Sequence, residues 1–141
     1  MGITRKEGRV LAFQALCAWQ AGCALQDVFS FLWIDDKHRE NDSELFFPTL
    51  LVRGTIEHIE EIDSIIKSKL KNWDFSRVSP LDKANLRLGT YSLLYQKDVE
   101  PLIIISEAIR IAEDFCSEDS YKFINGILDS IRLSLKDINI L

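Results

Sequence analysis

Apolar residues in the last third of the chain recur every three or four positions, which places them along one face of an α-helix. Similar spacing runs through the rest of the chain, and no stretch shows the strict alternation of a half-buried β-strand. We therefore predict an all-α fold. The stripe on the last helix consists of Ser120, Ile124, Ile127, Leu128, Ile131 and Leu135.

Capping and helix-breaking residues divide the chain into about seven helices. Thr4 and Glu7 form a capping box, so the first helix begins there and ends near Gly22. Pro48 and Gly54 predict a late start, a kink or a break in a helical stretch over residues 44–70. The other helices are predicted over residues 25–33, from Pro80 onward, from about Pro101 to Phe115, and after a cap at Ser117 to about Asp137.

The chain of 141 residues fits a single domain. The connection at residues 72–78 is the plausible seam between two helical subdomains, at about 1–72 and 79–141. Gly126 lies inside the last helix, where glycine costs about 1 kcal/mol relative to alanine. We therefore expect another helix to pack closely against Gly126.

Composition excludes several classes of protein. A hydrophobic content of 47% is enough for a sizeable core, so a disordered chain is excluded. The three cysteines, Cys17, Cys23 and Cys116, lack C-x-x-C spacing, which argues for a reducing cytoplasm and against a disulfide scaffold or zinc site. The start of the chain does not resemble a signal peptide, and no uncharged apolar run reaches the roughly 18 residues of a membrane span. We expect a cytoplasmic protein without membrane association.

Residues that carry enzyme chemistry are sparse. His38 lies in a polar loop, and His58 shares a charged helix face with Glu61. The sequence has no paired Glu-x-x-His motifs for a helical metal site, no Gly-rich phosphate loop and no nucleophile elbow. We expect no catalysis, no cofactor and no metal, with a cryptic carboxylate or histidine site as the alternative.

Two groups of residues favour binding instead. The first places three cations at the start of a helix, where free N–H groups also attract phosphate. The second places a ring at the edge of the last apolar stripe, beside an acid and a lysine, which suits base stacking or a partner contact. A solvated helix end and a ring that only widens the core are the open alternatives. The two groups are Arg5, Lys6 and Arg9, and Asp119, Lys122 and Phe123.

The distribution of charge allows two kinds of partner. The net charge of −5 counts against nucleic-acid binding by the whole surface. The acidic residues are concentrated in residues 35–44, 57–63 and 113–119, away from the cationic start. One end could therefore contact RNA while another docks a basic protein.

Four blocks of sequence, at residues 14–20, 78–88, 101–108 and 118–129, resemble the NusB family of bacterial transcription antitermination proteins. The resemblance covers nearly the whole chain. It implies an all-helical fold of two subdomains without catalysis. It also implies pairing with the small-subunit ribosomal protein NusE, binding of boxA single-stranded RNA, and entry into an RNA polymerase complex that resists termination on ribosomal RNA operons.

The resemblance also implies residue roles. The departures are Glu7 in place of a frequent cation, Cys17 in place of a partner-contacting ring, and Pro48 in a usually polar position, so we expect RNA affinity that depends on the partner. We further expect Asp119 to limit RNA affinity. The implied RNA contacts are Arg5, Lys6, Arg9, Asp119, Lys122 and Phe123, and the implied partner contacts are Cys17 and Asp82.

Three alternatives to this function stay open: the NusB-like domain of an RNA cytosine methyltransferase, a helical adaptor that binds only proteins, and the cryptic enzyme. A homodimer is possible, and the sequence does not decide it. A single RNA surface also requires that the start of the first helix lie beside the start of the last one.

Overall fold

The computed structural model describes residues 3–31, 45–71 and 74–137. Within these ranges the chain forms seven α-helices and no strand, which confirms the all-α prediction. None of the described helices is both long and apolar enough to cross a membrane. The helices are α1 (Arg5–Gln20), α2 (Leu25–Val28), α3 (Phe46–Glu57), α4 (Ile59–Lys69), α5 (Pro80–Tyr95), α6 (Pro101–Phe115) and α7 (Ser120–Asp137), and a 3₁₀ turn at Phe75–Arg77 precedes α5.

Helix α1 has the predicted boundaries, and both ends are capped. The Glu7 backbone N–H donates to Thr4 Oγ1 at 3.1 Å, and the Thr4 N–H donates to Glu7 Oε1 at 3.2 Å, which completes the capping box. At the other end Gly22 has φ of 97°, a left-handed conformation that glycine adopts without strain. The Cys23 N–H then reaches back to the Ala18 carbonyl at 3.1 Å, which closes a Schellman motif.

The predicted stretch over residues 44–70 is two helices, and the break lies at His58 rather than at Gly54. Helix α3 begins at Phe46, so Pro48 lies in the first turn, where a missing N–H leaves no helical hydrogen bond unmade. Helix α3 continues through Gly54, where a Cβ atom would collide with the Tyr91 ring of α5. Helices α3 and α5 therefore approach each other closely at Gly54.

The expectation for Gly126 is wrong. Gly126 is exposed, and a Cβ atom built there has no heavy atom within 4 Å. The predicted second helix also ends early, at Val28, and Phe31 adopts φ of 52° with its ring fully buried. Residues 32–33 of that predicted helix and the polar loop with His38 lie outside the described residues.

The last helix begins two residues later than predicted. Helix α7 starts at Ser120, and the Ser117 carbonyl accepts a hydrogen bond from the Ser120 N–H at 3.0 Å. Ser117 therefore belongs to a turn that precedes the helix. The predicted stripe is confirmed, because all six of its residues are buried.

The core has two clusters that share helices α5 and α6. The first cluster joins α1, α2 and α3 to Ala84, Leu88 and Ile111. The second joins α4 and α7 to the remaining buried residues of α5 and α6. Because Ile62 and Ile66 of α4 belong to the second cluster, the division of the core falls between α3 and α4, ahead of the predicted seam. Helix α6 thus contributes residues to both clusters, to the first with α1 and to the second with α7.

Candidate nucleic-acid and partner interface

The first turn of α1 presents two cations to solvent. Arg5 and Lys6 are exposed. The Arg5 guanidinium carbon lies 4.9 Å from the centroid of the Phe47 ring. Lys6 has no ion pair within the described part of the chain. Both cations lie where the first N–H groups of α1 and its positive dipole end also favour an anion.

Arg9 is different, because its side chain is only 4% exposed. Its Nε lies 2.7 Å from Glu107 Oε2 of α6, and its Nη1 donates to Ser92 Oγ at 3.0 Å and to Gln96 Oε1 at 3.2 Å. Burial lowers the pKa of Arg9, and the Glu107 carboxylate opposes that shift. This geometry argues against the expected phosphate contact by Arg9, because its guanidinium is buried and already paired.

A cavity of about 400 Å³ separates the start of α1 from α6. Lys6 lines it from α1, and Arg110 and Asp114 line it from α6. These three side chains are exposed, whereas the apolar lining includes the buried Leu11 and Ile111. The cavity therefore combines an apolar interior with a charged rim, a combination typical of ligand sites.

The second predicted group lies at the start of α7. Lys122 is exposed, with its Nζ 5.8 Å from the Tyr121 ring centroid. Phe123 is half-buried and packs against the second core cluster, so it widens the core and also keeps part of its ring at the surface. Asp119 and Phe123 line a cavity of about 310 Å³ together with Asp82 of α5.

The two partner-contact candidates are brought together around Cys116. Burial raises the pKa of the Cys116 thiol to about 12, and the Asp82 carboxylate, the next largest cause, adds to the shift through its charge and a hydrogen bond. Cys17 is close enough to add a smaller part, and burial raises its own pKa to about 11. Both thiols are therefore protonated at neutral pH, which does not suit a nucleophile.

The two RNA-contact groups do not share a cavity. Lys6 borders the cavity between α1 and α6, whereas Phe123 and Asp119 border the one beside Asp82. Helix α7 packs against α4, α5 and α6, and α1 packs most closely against α3 and α5. The two groups therefore border different cavities, and their direct contact stays a prediction.

Sequence reasoning missed Glu107 and Arg110. A signal for Glu107 was present, because Arg9 continues the apolar line of Phe13 and Leu16 on α1. A cation on a buried stripe requires a buried acid, and Glu107 is the acid within the largely apolar start of α6. Arg110 had no such signal, since its place between two cavities depends on how three helices pack.

His58 packs against an aromatic side chain of α5. Its ring stacks on that of Tyr95, with centroids 4.3 Å apart, and Tyr95 donates to Glu61. Within residues 3–31, 45–71 and 74–137, no group of three or more histidine, cysteine, aspartate and glutamate side chains is arranged to hold a metal ion.

Comparison with known proteins places this arrangement in a family. The model of the NusB family matches residues 6–132. The transcription antitermination protein NusB of Treponema denticola is 50% identical over 133 residues, covering 94% of this chain and 98% of that protein. The solved structure of T. maritima NusB has a TM-score of 0.82 and 32% identity, covering 94% of this chain and 93% of that one. A chain in the complex of antitermination factors NusB and NusE with double-stranded RNA has a TM-score of 0.77 and 28% identity, covering 92% of this chain and 96% of that one.

Proposed function

This chain belongs to the NusB family, and we propose that it is a transcription antitermination factor that pairs with the small-subunit ribosomal protein NusE and binds boxA single-stranded RNA. It would act by binding rather than by catalysis, on nascent RNA in the bacterial cytoplasm, within an RNA polymerase complex that transcribes ribosomal RNA. The observation that carries the proposal is the likeness, over 92% of this chain, to a protein solved together with NusE and RNA.

The proposed RNA contacts use two kinds of chemistry. Arg5 and Lys6 would neutralise phosphates at the start of α1, where both are exposed. At the start of α7, Lys122 would neutralise a further phosphate, and the surface part of the Phe123 ring would stack on an unpaired base. Asp119 borders the same cavity as Phe123, so its carboxylate would repel the strand and hold affinity down.

The proposed partner surface lies where the end of α1 meets the start of α5. Cys17 and Asp82 both lie close enough to Cys116 to raise the pKa of its thiol. Gln20 of α1 donates to the Pro80 carbonyl at 2.8 Å, which holds the two helix ends together. Leu81, next to Asp82, is 40% exposed. An apolar contact at Leu81 beside the negative charge of Asp82 suits a basic partner. The net charge of −5 would also attract a basic partner towards this protein.

One observation favours the alternative of a purely protein-binding adaptor. With Arg9 buried, the start of α1 offers two surface cations rather than three, in a chain whose net charge is −5. Such an adaptor would bind the ribosomal protein and leave RNA unbound.

An electrophoretic shift with boxA-type RNA, with and without the ribosomal partner, tests the proposal. We expect a shift that strengthens with the partner and weakens in Arg5→Gln/Lys6→Gln. Lys136→Gln, an exposed cation near the far end of α7, removes one charge at a distance and serves as the control. Partner binding without any RNA shift would favour the adaptor, and loss of affinity in Lys136→Gln equal to that per charge in the double variant would show nonspecific charge attraction.

A further inference from the structure

Helix α6 shares a cavity with α1 and packs against α7, the two helices that carry the proposed RNA contacts, and one of its residues borders a cavity towards each of them. Arg110 lines the cavity of about 400 Å³ that α6 shares with Lys6 of α1. It also lines a cavity of about 330 Å³ that α6 shares with Asn125 of α7. Among the described residues, Arg110 alone lines both of these cavities.

The Arg110 side chain is available for a ligand. It is exposed, and it makes no hydrogen bond or ion pair within the described residues. Three carboxylates lie near it on α6, but Glu107 is paired with Arg9. Glu113 and Asp114 are exposed, each borders one of the two cavities, and neither pairs with Arg110. All five guanidinium N–H donors therefore face solvent or the cavities.

We propose that single-stranded RNA crosses α6 at Arg110, which holds a phosphate between the contacts at Lys6 and those at Lys122. This inference rests on the proposed function and explains how one strand could join two groups that border different cavities. A strand that crosses α6 must pass Glu113 and Asp114, whose charges repel phosphate. Arg110 supplies the opposing charge at that point.

The cavity beside Arg110 also gives an unstacked base somewhere to go. Ile3, Val10 and Ile111 contribute apolar lining, and Lys6 and Arg110 stand on its rim. Proteins that read single-stranded RNA hold phosphates on cations while bases leave the stack for apolar surfaces. The proposed site therefore has a phosphate on Arg110 and a base in the cavity between α1 and α6.

Filter binding of the complex with the ribosomal partner tests the site, using boxA-type RNA over a series of salt concentrations. Arg110→Gln should lower affinity about 3- to 10-fold and reduce the salt slope by about 0.7, the value for one phosphate contact on a single strand. Arg110→Glu should lower affinity further, because it reverses the charge. Lys136→Gln is the matched control, since it removes the same charge from an exposed helical position that borders neither cavity. Photo-crosslinking with 4-thiouridine RNA should label the peptide that contains Arg110.

The outcomes separate this inference from the proposed function. If the wild-type complex binds RNA and Arg5→Gln/Lys6→Gln weakens binding, while Arg110→Gln behaves as Lys136→Gln does, the crossing at Arg110 is wrong and the proposed function stands. If the wild-type complex binds no RNA, the proposed function itself fails. Because Arg110 is exposed and makes no ion pair or hydrogen bond within the described residues, we expect Arg110→Gln and Arg110→Glu to unfold at the wild-type temperature. A lower unfolding temperature in either variant would mean that its loss of RNA affinity comes from impaired folding.

Discussion

The two surfaces that flank α6 are built in different ways. Beside α1, one arginine is buried in an ion pair with Glu107, and the cations that remain exposed lie one turn earlier, at Arg5 and Lys6. Beside α7, a single residue, Phe123, both packs against the core and shows part of its ring at the surface. Stability and the proposed RNA contact therefore fall on different residues on the first surface and on the same residue on the second.

The largest effect should come from Arg9→Met, which keeps much of the side-chain volume and removes the charge. The substitution leaves Glu107, which is 25% exposed, without its cation. It also removes the hydrogen bonds that Arg9 donates to Ser92 Oγ and Gln96 Oε1. Breaking a buried pair by removing one partner costs about 3 kcal/mol. Urea unfolding should show this loss, while the salt slope of RNA binding should stay at the wild-type value because the Arg9 guanidinium is buried.

Glu107→Gln is the companion variant for Arg9→Met. If the pair acts as a clamp, the double variant should cost much less than the sum of the two single variants. If the Glu107 carboxylate instead acts by repelling RNA phosphates, Glu107→Gln should bind RNA more tightly, because it removes that negative charge. Unchanged stability in Arg9→Met together with a reduced salt slope would mean that Arg9 contacts a phosphate rather than stabilising the fold. The contrast between the surface beside α1 and the surface beside α7 would then be wrong.

Phe123→Ala should affect both properties together. A half-buried ring that packs on the second cluster should contribute about 2 kcal/mol to the free energy of unfolding, less than the roughly 3–5 kcal/mol of a fully buried phenylalanine. Loss of base stacking should weaken RNA binding by a further 1–3 kcal/mol, or about 5- to 150-fold. Phe123→Leu restores most of the packing without the aromatic face. Its unfolding free energy should recover while its RNA affinity stays low, and recovery of both would show that the ring only fills the core.

The helices and their burial pattern followed from local signals. The Thr4 and Glu7 capping box and the six-residue stripe of α7 depend on neighbours within a few positions, and both predictions are confirmed. The expectation at Gly126 failed because a missing side chain marks a close contact only if another helix approaches there. The approach occurs at Gly54, where Tyr91 of α5 lies against α3.

The candidate site was less predictable, for the same reason. The sequence identified the charged start of α1 but not that its third cation turns inward, since the acid that receives it comes 98 residues later in the chain. Helix α6 was expected, but its contribution to both core clusters was not. Long-range packing decides both points, and no local pattern reports it.

Arg5→Gln/Lys6→Gln should reproduce on the α1 side the separation that Phe123 does not allow. Both residues are exposed and form no ion pair within the described ranges, so the free energy of unfolding should fall by at most the roughly 0.5–1 kcal/mol of the exposed contact between Arg5 and the Phe47 ring. RNA affinity should fall about 10-fold or more, and the salt slope should decrease by about 1.4, for two single-strand phosphate contacts. Arg53→Gln/Lys136→Gln removes the same total charge from exposed positions on α3 and α7 and should leave the slope nearly unchanged. Equal changes in the two double variants would mean that only net charge matters.

Asp119→Asn should give the smallest effect, and in the opposite direction. Asp119 is exposed and borders the cavity that contains Phe123, so its carboxylate lies near any phosphate that accompanies a stacked base. Removing one repulsive surface charge should tighten RNA binding about 2- to 5-fold at low salt, with the gain shrinking as screening shortens the reach of the charge. Asp98→Asn, an exposed acid in the turn between α5 and α6, is the matched control and should change affinity less. Unchanged or weaker binding in Asp119→Asn would mean that the carboxylate accepts a hydrogen bond from the RNA, which would make the α7 side a polar recognition site as well as a stacking one.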